Sequence, residues 1–248
     1  MVRGDFFASF TTTIDSPSMT ITKRVRLTAG ALLRGALCCV FLGPIVVGHA
    51  QGVPPPAPGR SSLPVRVYAD AELIELPRAG GLTLYSRHTA TDFSRDDVKS
   101  RSATDCANQR PLVDAGRDDA RAIGAAIRAL RIPIGDVLAS PTCRTVETAQ
   151  LIYGRATPTP AVRGSSSDGA SDRWESVRLL LRTAPTRTNR AIASHGNPIF
   201  AVAGAPYLHE GETLVIKSIG NDFEIIARLD RTAWTRLATQ AAERAETR

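Results

Sequence analysis

The chain has 248 residues, 43% hydrophobic and 22% charged, a balance that suits a soluble domain with a packed core. The formal net charge is +7, but residues 1–50 hold five basic groups against two acidic ones, and without them it falls to +4. A mild positive balance suits anionic substrates, and the absence of any Lys/Arg run interleaved with aromatics argues against nucleic acid as a partner.

The amino terminus reads as an export signal over residues 1–50, with Met19 as an alternative start. Lys23, Arg24 and Arg26 precede an apolar run over 35–47, and Gly48-His49-Ala50 offers small residues at the −3 and −1 positions. The run is shorter than the roughly 20 apolar residues of a membrane span, so no stable membrane insertion is expected after cleavage. An uncleaved anchor helix is the alternative. Cys38-Cys39 lacks the Leu-small-small-Cys order of a lipoprotein signal. Residues 51–64, with PPPAP, read as a flexible linker before a domain over 65–248.

A short helix is predicted over 70–76, capped by Asp70 and ended by Pro77 and the Gly80-Gly81 turn. The stretch 82–89, LTLYSRHT, reads as a buried strand that stops at Arg87-His88. Both side chains then reach a carboxyl edge, where open α/β sheets form ligand crevices. An isolated Arg-His pair is usually surface chemistry. This one gains meaning because two later segments end in the same way. Residues 92–109 are polar and irregular, long enough for a functional loop. The clearest helix spans 114–130, with Ala120, Ile123, Ile127 and Leu130 on one stripe, Asp114 as its cap, and Pro133 and Gly135 as breakers.

In 136–154, DVLASPTCRTVETAQLIYG, Val137-Leu138-Ala139 form a short strand and Ser140-Pro141 open a helix over 142–153 that Gly154 closes. Arg144 falls in its first turn, at the positive end of the helix dipole, where a cation is unfavourable. An anion held between Arg144 and the free helix amides would remove the conflict; a solvated arginine on an exposed turn is the alternative. In 190–198, RAIASHGNP, a third short strand precedes His195-Gly196 and a helix with Pro198 in its first turn. Of the four histidines only His88 and His195 stand directly after strands. A hydrogen-bonded core histidine is the ordinary alternative for each, but two of them with Arg87 and Arg144 at strand ends predict one cationic pocket. Residues 213–217 and 223–228 read as a hairpin around Gly220-Asn221-Asp222, and 230–247 as a polar terminal helix.

Four segments, RHTATD at 87–92, then LVDAGRDDAR, SPTCRTVETA and SHG at 194–196, resemble the histidine phosphatase superfamily in order and spacing, over roughly residues 72–237. That family includes phosphoglycerate mutases and acid phosphatases. The resemblance implies a phosphoglycerate mutase-like three-layer α/β sandwich, with a mostly parallel central sheet and helices on both faces. It implies His88 as the phosphate-accepting nucleophile and Arg87, Arg144 and His195 as phosphoryl-binding groups. Arg110, in CANQRP, is a further candidate phosphate ligand, with a structural surface role as the alternative. Two positions depart from the pattern. Thr89 stands where glycine often allows a tight turn. Gly196-Asn197 follow the second histidine, where the acid phosphatase branch supplies an aspartate, which leaves Glu210 in HEGE and Asp92 as candidate leaving-group acids. Cys106 and Cys143 remain after leader removal, an even number for an oxidising compartment. In the resembled fold their loops border one pocket, so a disulfide between them is a candidate, with two unpaired thiols as the alternative.

The chemistry follows from the residues as well. A neutral imidazole nitrogen can attack phosphorus in line when its partners neutralise the phosphate charge. Two guanidiniums offer planar, bidentate contacts to phosphate oxygens. The histidines and carboxylates lack metal-ligand spacing, so neither a metal nor another cofactor is expected. The expected protein is a periplasmic or secreted monoester phosphatase working through phosphohistidine on a small phosphorylated substrate or a phosphorylated envelope sugar. The alternatives are a non-catalytic phosphate-ligand-binding or regulatory protein on the same fold, a phosphomutase, and a structural envelope protein that would leave the pocket unexplained. The stretch 163–172, RGSSSDGASD, carries no recognisable specificity insert.

Overall fold

Six strands form one sheet: β1 (Leu82–Arg87), β2 (Ile134–Ala139), β3 (Thr157–Pro158), β4 (Asn189–Ser194), β5 (Thr213–Ile219) and β6 (Asp222–Leu229). The computed structural model describes residues 68–164, 172–204 and 206–247, all within the unit Gly52–Arg248. The expected export signal, the linker and most of the 163–172 stretch lie outside the described residues. The strand order is β3-β2-β4-β1-β5-β6. β4 runs parallel to β1 on one side and to β2 on the other, and β3 continues the parallel set beyond β2. β5 joins β1 antiparallel and turns back as β6.

The near-continuous burial of β1 and β4 follows from this position, because strands covered on both faces need apolar runs rather than alternation. On one face, Ala120, Ile123 and Ile127 of α2 (Asp114–Ala129) pack with Leu84, Val215, and Trp234 and Leu237 of α6 (Arg231–Glu246). On the other, Val177 and Leu181 of α4 (Glu175–Arg182), with Ile199 and Val202 of α5 (Gly196–Ala203), cover Tyr85, Ile192, Leu214 and Ile216. Each fully buried Leu or Ile contributes about 1.5–3 kcal/mol through area removed from water. The architecture is the three-layer α/β arrangement, with helices on both faces, that the motifs implied.

One polar side chain ties the amino-terminal edge of the sheet. Asn189 at the start of β4 donates through Nδ2 to the carbonyls of Pro77 (2.6 Å) and Pro133 (2.9 Å). Its Oδ1 accepts from the Leu82 amide at 3.1 Å. Three segments that enter the sheet are thus registered by one buried amide.

Several predicted bounds change. The first helix, α1 (Asp70–Ala79), runs through Pro77 instead of ending there, and its N-cap is Ala69 rather than Asp70. Pro77 is buried beside Leu73 and Ile74, so the packing of its ring offsets the hydrogen bond that it cannot donate. β2 begins at Ile134, upstream of the expected start, and takes in Gly135 through an irregular register between Ile134 and Val137. Val113, not Asp114, is the N-cap of α2. β3 and α4 were not anticipated. The hairpin and the terminal helix stand where the sequence puts them, with Asp230 accepting from the Ala233 amide as the N-cap of α6.

Candidate active site

The carboxyl ends of β1, β4 and β2 lie side by side, and each is followed by a residue of the predicted pocket. The β4 backbone sets their positions: the Ser194 carbonyl accepts from the His88 amide at 3.0 Å, and the Ala193 carbonyl accepts from the Ser140 amide at 2.9 Å. Both ladders thus extend one residue past the assigned strands. His195 follows β4 directly and caps α5.

His88 is 2% exposed. Its Nδ1 lies 3.0 Å from the Thr89 carbonyl oxygen. A carbonyl can only accept, so Nδ1 carries the proton and the lone pair sits on Nε2. Burial lowers the pKa of His88 to about 3, against the opposing pull of the Thr89 carbonyl, and the charges of Arg144, Arg87 and Arg110 add to the shift. His195 Nε2 lies 2.9 Å from Ser140 Oγ and 3.4 Å from Thr142 Oγ1. Its pKa is also held well below the ordinary 6.5, first by burial, then because His88 and His195 repel each other when protonated, and then by the charges of Arg144, Arg163 and Arg87. Both imidazoles are therefore neutral at ordinary pH.

The arginines surround this pair. Arg87 donates to the Leu208 carbonyl at 2.9 Å and meets Glu210 Oε1 at 3.4 Å, with its guanidinium carbon 5.3 Å from the centre of the Tyr207 ring. Arg144 occupies the first turn of α3 (Cys143–Tyr153) and is buried there. An anion does face it, as its place on the helix demands, but that anion is the carboxylate of Asp97. Arg144 reaches Asp97 Oδ1 at 3.1 Å and Oδ2 at 2.9 Å, the fork geometry of a bidentate pair. The helix amide of Cys143 is taken by Gln109 Oε1 at 2.9 Å. Arg110 donates its backbone amide to Asp97 Oδ1 at 2.7 Å, while its guanidinium lies over Phe93. The Nε atoms of Arg87, Arg110 and Arg144 are buried and have no hydrogen-bond partner. Arg144, Arg87 and Arg110 all act electrostatically on the His88 ring, a cationic surrounding that fits an anionic ligand.

The two candidate acids are placed differently. Glu210 is in the pocket wall, but its Oε1 lies 3.8 Å from His88 Nδ1, the protonated nitrogen, on the side away from the lone pair. Its oxygens also accept from the Thr91 amide (3.1 Å) and hydroxyl (2.8 Å). Asp92 is turned to its own loop, where its Oδ1 accepts from the Ser94 amide at 2.9 Å and hydroxyl at 2.6 Å. Those bonds hold its carboxyl below the usual range, which does not suit a proton donor.

Thr89 causes no strain, because among the described residues only Arg131 and Arg187 adopt positive φ without being glycine. Its amide instead donates to Thr148 Oγ1 of α3 at 3.3 Å, tying the His88 strand to the Arg144 helix. Gly196 has a steric role: a Cβ there would meet the Tyr207 ring at 2.3 Å, so the glycine after His195 lets that ring close the pocket wall. Cys106 and Cys143 form a disulfide with a Cα separation of 5.6 Å, within ordinary bridge geometry. Asp97, Thr91, Gln109, Ser140, Thr142 and Tyr207 were not anticipated. Ser140 and Thr142 carry a usable signal, as hydroxyls just past a strand end. Among the described residues no cluster of three or more His, Cys, Asp or Glu side chains forms a metal cage.

Residues 84–163 match the sequence model of the histidine phosphatase superfamily, branch 1. The resemblance read from the motifs holds over that span, which covers Arg87, His88, Arg110 and Arg144 but stops short of His195. No curated protein sequence matches the chain. Solved structures similar to it include the protein histidine phosphatase SixA complexed with tungstate, at 15% identity over 61% of this chain and 97% of that one, with a TM-score of 0.43. A phosphoserine phosphatase from Entamoeba histolytica, in complex with phosphoserine, is 13% identical over 61% and 98%, at 0.45. Phosphoglycerate mutase from Bacillus anthracis is 13% identical over 66% and 99%, at 0.43.

Proposed function

We propose that this histidine phosphatase-like domain hydrolyses phosphate monoesters through a phosphohistidine on His88. The observation that carries this reading is the His88 ring, held neutral with its proton on Nδ1 by the Thr89 carbonyl. That hydrogen bond leaves Nε2 as the nucleophile beneath Arg87, Arg110 and Arg144. Nε2 would attack phosphorus in line, forming the N–P bond as the P–O bond to the leaving group breaks, and the departing oxyanion takes a proton from solvent water. The guanidiniums would neutralise charge on the phosphoryl oxygens, and His195 would donate a further hydrogen bond. Water then attacks the phosphohistidine, the N–P bond breaks, and inorganic phosphate leaves. The test is trapping with labelled substrate, with label expected on His88 and absent from His88→Ala.

A non-catalytic phosphate-binding role is the second reading, favoured by one observation: neither Glu210 nor Asp92 faces the lone-pair side of His88. Turnover of an activated aryl phosphate, which needs little help from an acid, separates the two. Transfer of the phosphoryl group to a second hydroxyl would make the protein a phosphomutase.

Export to the periplasm or beyond is part of the proposal. The basic and apolar run before residue 50 supports it, as does the Cys106–Cys143 disulfide, since such bonds persist in oxidising compartments. The partners proposed are small phosphorylated substrates, including phosphorylated envelope sugars. Fractionation of cells expressing the full chain checks the location.

A further inference from the structure

The loop over 92–109 places a carboxylate on the guanidinium that should hold the phosphoryl group. Asp97 engages both terminal nitrogens of Arg144 and also accepts the Arg110 amide, while the Nε of Arg144 has no partner. The pair is asymmetric in exposure: the Arg144 side chain is 8% exposed and that of Asp97 is 40%. Asp97 can therefore rotate into water and be solvated there, whereas Arg144 cannot. A buried guanidinium stripped of its anion is costly, so Asp97 leaves readily only when another anion arrives.

We propose that Asp97 is a displaceable internal anion that occupies the phosphoryl seat at Arg144 and that an incoming phosphoryl group must expel it to bind. This inference rests on the reading of the pocket as a phosphoryl site. A phosphate monoester or inorganic phosphate presents oxygens to the same donors that Asp97 engages, the Arg144 fork and the Arg110 amide. The loop is held over the seat by two ties to the start of α3, the Cys106–Cys143 disulfide and the bond from the Cys143 amide to Gln109 Oε1, and the contact of the Arg95 guanidinium with the Ala107 carbonyl braces the loop internally. Asp97 is thereby kept close to the seat even when displaced, and it returns when product leaves.

The experiment is calorimetric titration of the full chain with inorganic phosphate, comparing wild type with Asp97→Asn and Asp97→Ala. A carboxylate in place for nine-tenths of the time weakens apparent affinity about tenfold, and both variants are expected to recover that factor. The gain should vanish when Arg144→Ala is combined with Asp97→Asn, because the two residues act on each other. Equal or weaker phosphate binding by both variants overturns the proposal and makes Asp97 a positioning residue for Arg144. A gain that persists without Arg144 overturns it too, since the carboxylate would then act only by general repulsion. Failure of wild type and variants alike to bind phosphate removes the phosphoryl site itself, and this proposal with it.

Discussion

The rings of His88 and His195 meet edge to face, with centroids 5.5 Å apart and planes inclined at 72°. Two imidazoles this close and this buried cannot both carry a proton without strong mutual repulsion, so the pocket is built for their neutral forms. The arrangement leaves a signature in stability. The folded-state pKa of His88 is about 3 against 6.5 for an ordinary histidine, so the unfolded chain binds more protons between those values. Stability is fully present above pH 6.5 and is lost as pH falls toward 3. Urea unfolding at pH 7 and pH 4.5 should show wild type losing about 2–3 kcal/mol more than His88→Gln over that interval. Parallel losses in the two proteins would mean that His88 titrates normally.

Removal of the nucleophile separates chemistry from folding. His88→Ala should abolish turnover and phosphoryl trapping while circular dichroism stays that of wild type. Arg144→Ala should lower kcat/KM by a factor of 100–1,000, about 2.7–4 kcal/mol of transition-state stabilisation, as for loss of an oxyanion donor. If only KM rises, Arg144 binds ground state and transition state alike.

Glu210 lies on the Nδ1 side of His88 and grips Thr91 and Arg87, so it should act by orienting them. Glu210→Gln is then expected to slow activated aryl esters and unactivated alkyl esters by a similar factor, about tenfold or more for a charge-assisted hydrogen bond. A loss concentrated on the poor leaving groups would instead make Glu210 the proton donor. Asp92→Asn, with its side chain occupied by Ser94, should change neither rate.

The disulfide closes a loop with a sequence separation of 37. Chain-entropy reasoning sets the stabilisation at about 4 kcal/mol at most. The double variant Cys106→Ser/Cys143→Ser should melt several degrees lower than wild type, and Cys106 and Cys143 of the unreduced, unfolded wild type should resist alkylation. Labelling of those two cysteines without a reductant would contradict the bridge.

Legibility in the sequence followed the reach of the interactions. β1, the core of β2, and β4 were readable because buried strands are short apolar runs, and the polar residues at their ends fixed where Arg87, His88, Arg144 and His195 would converge. α4 was overlooked because it follows the polar 163–172 stretch, although Val177 and Leu181 stand one helical turn apart and both face the core. β3 has two exposed residues and hence no periodicity to detect. Asp97 is the instructive miss. Its pairing with Arg144 spans 47 residues and leaves no local pattern, so nothing marked it out from the other polar residues of its loop.

The carbonyls of Ala193 and Ser194 have a consequence for motion. They belong to β4, buried along its whole length, and they grip the amides of Ser140 and His88. The nucleophile His88 and Ser140, whose hydroxyl meets His195, are therefore mounted on one beam, without a hinge between them. Thermal fluctuation should carry them together rather than change their spacing, and both amides should exchange with solvent only as slowly as the sheet interior opens. Catalytic alignment would then persist on heating until the sheet itself gives way, so the folded protein should pass through no temperature range in which the two walls have drifted apart.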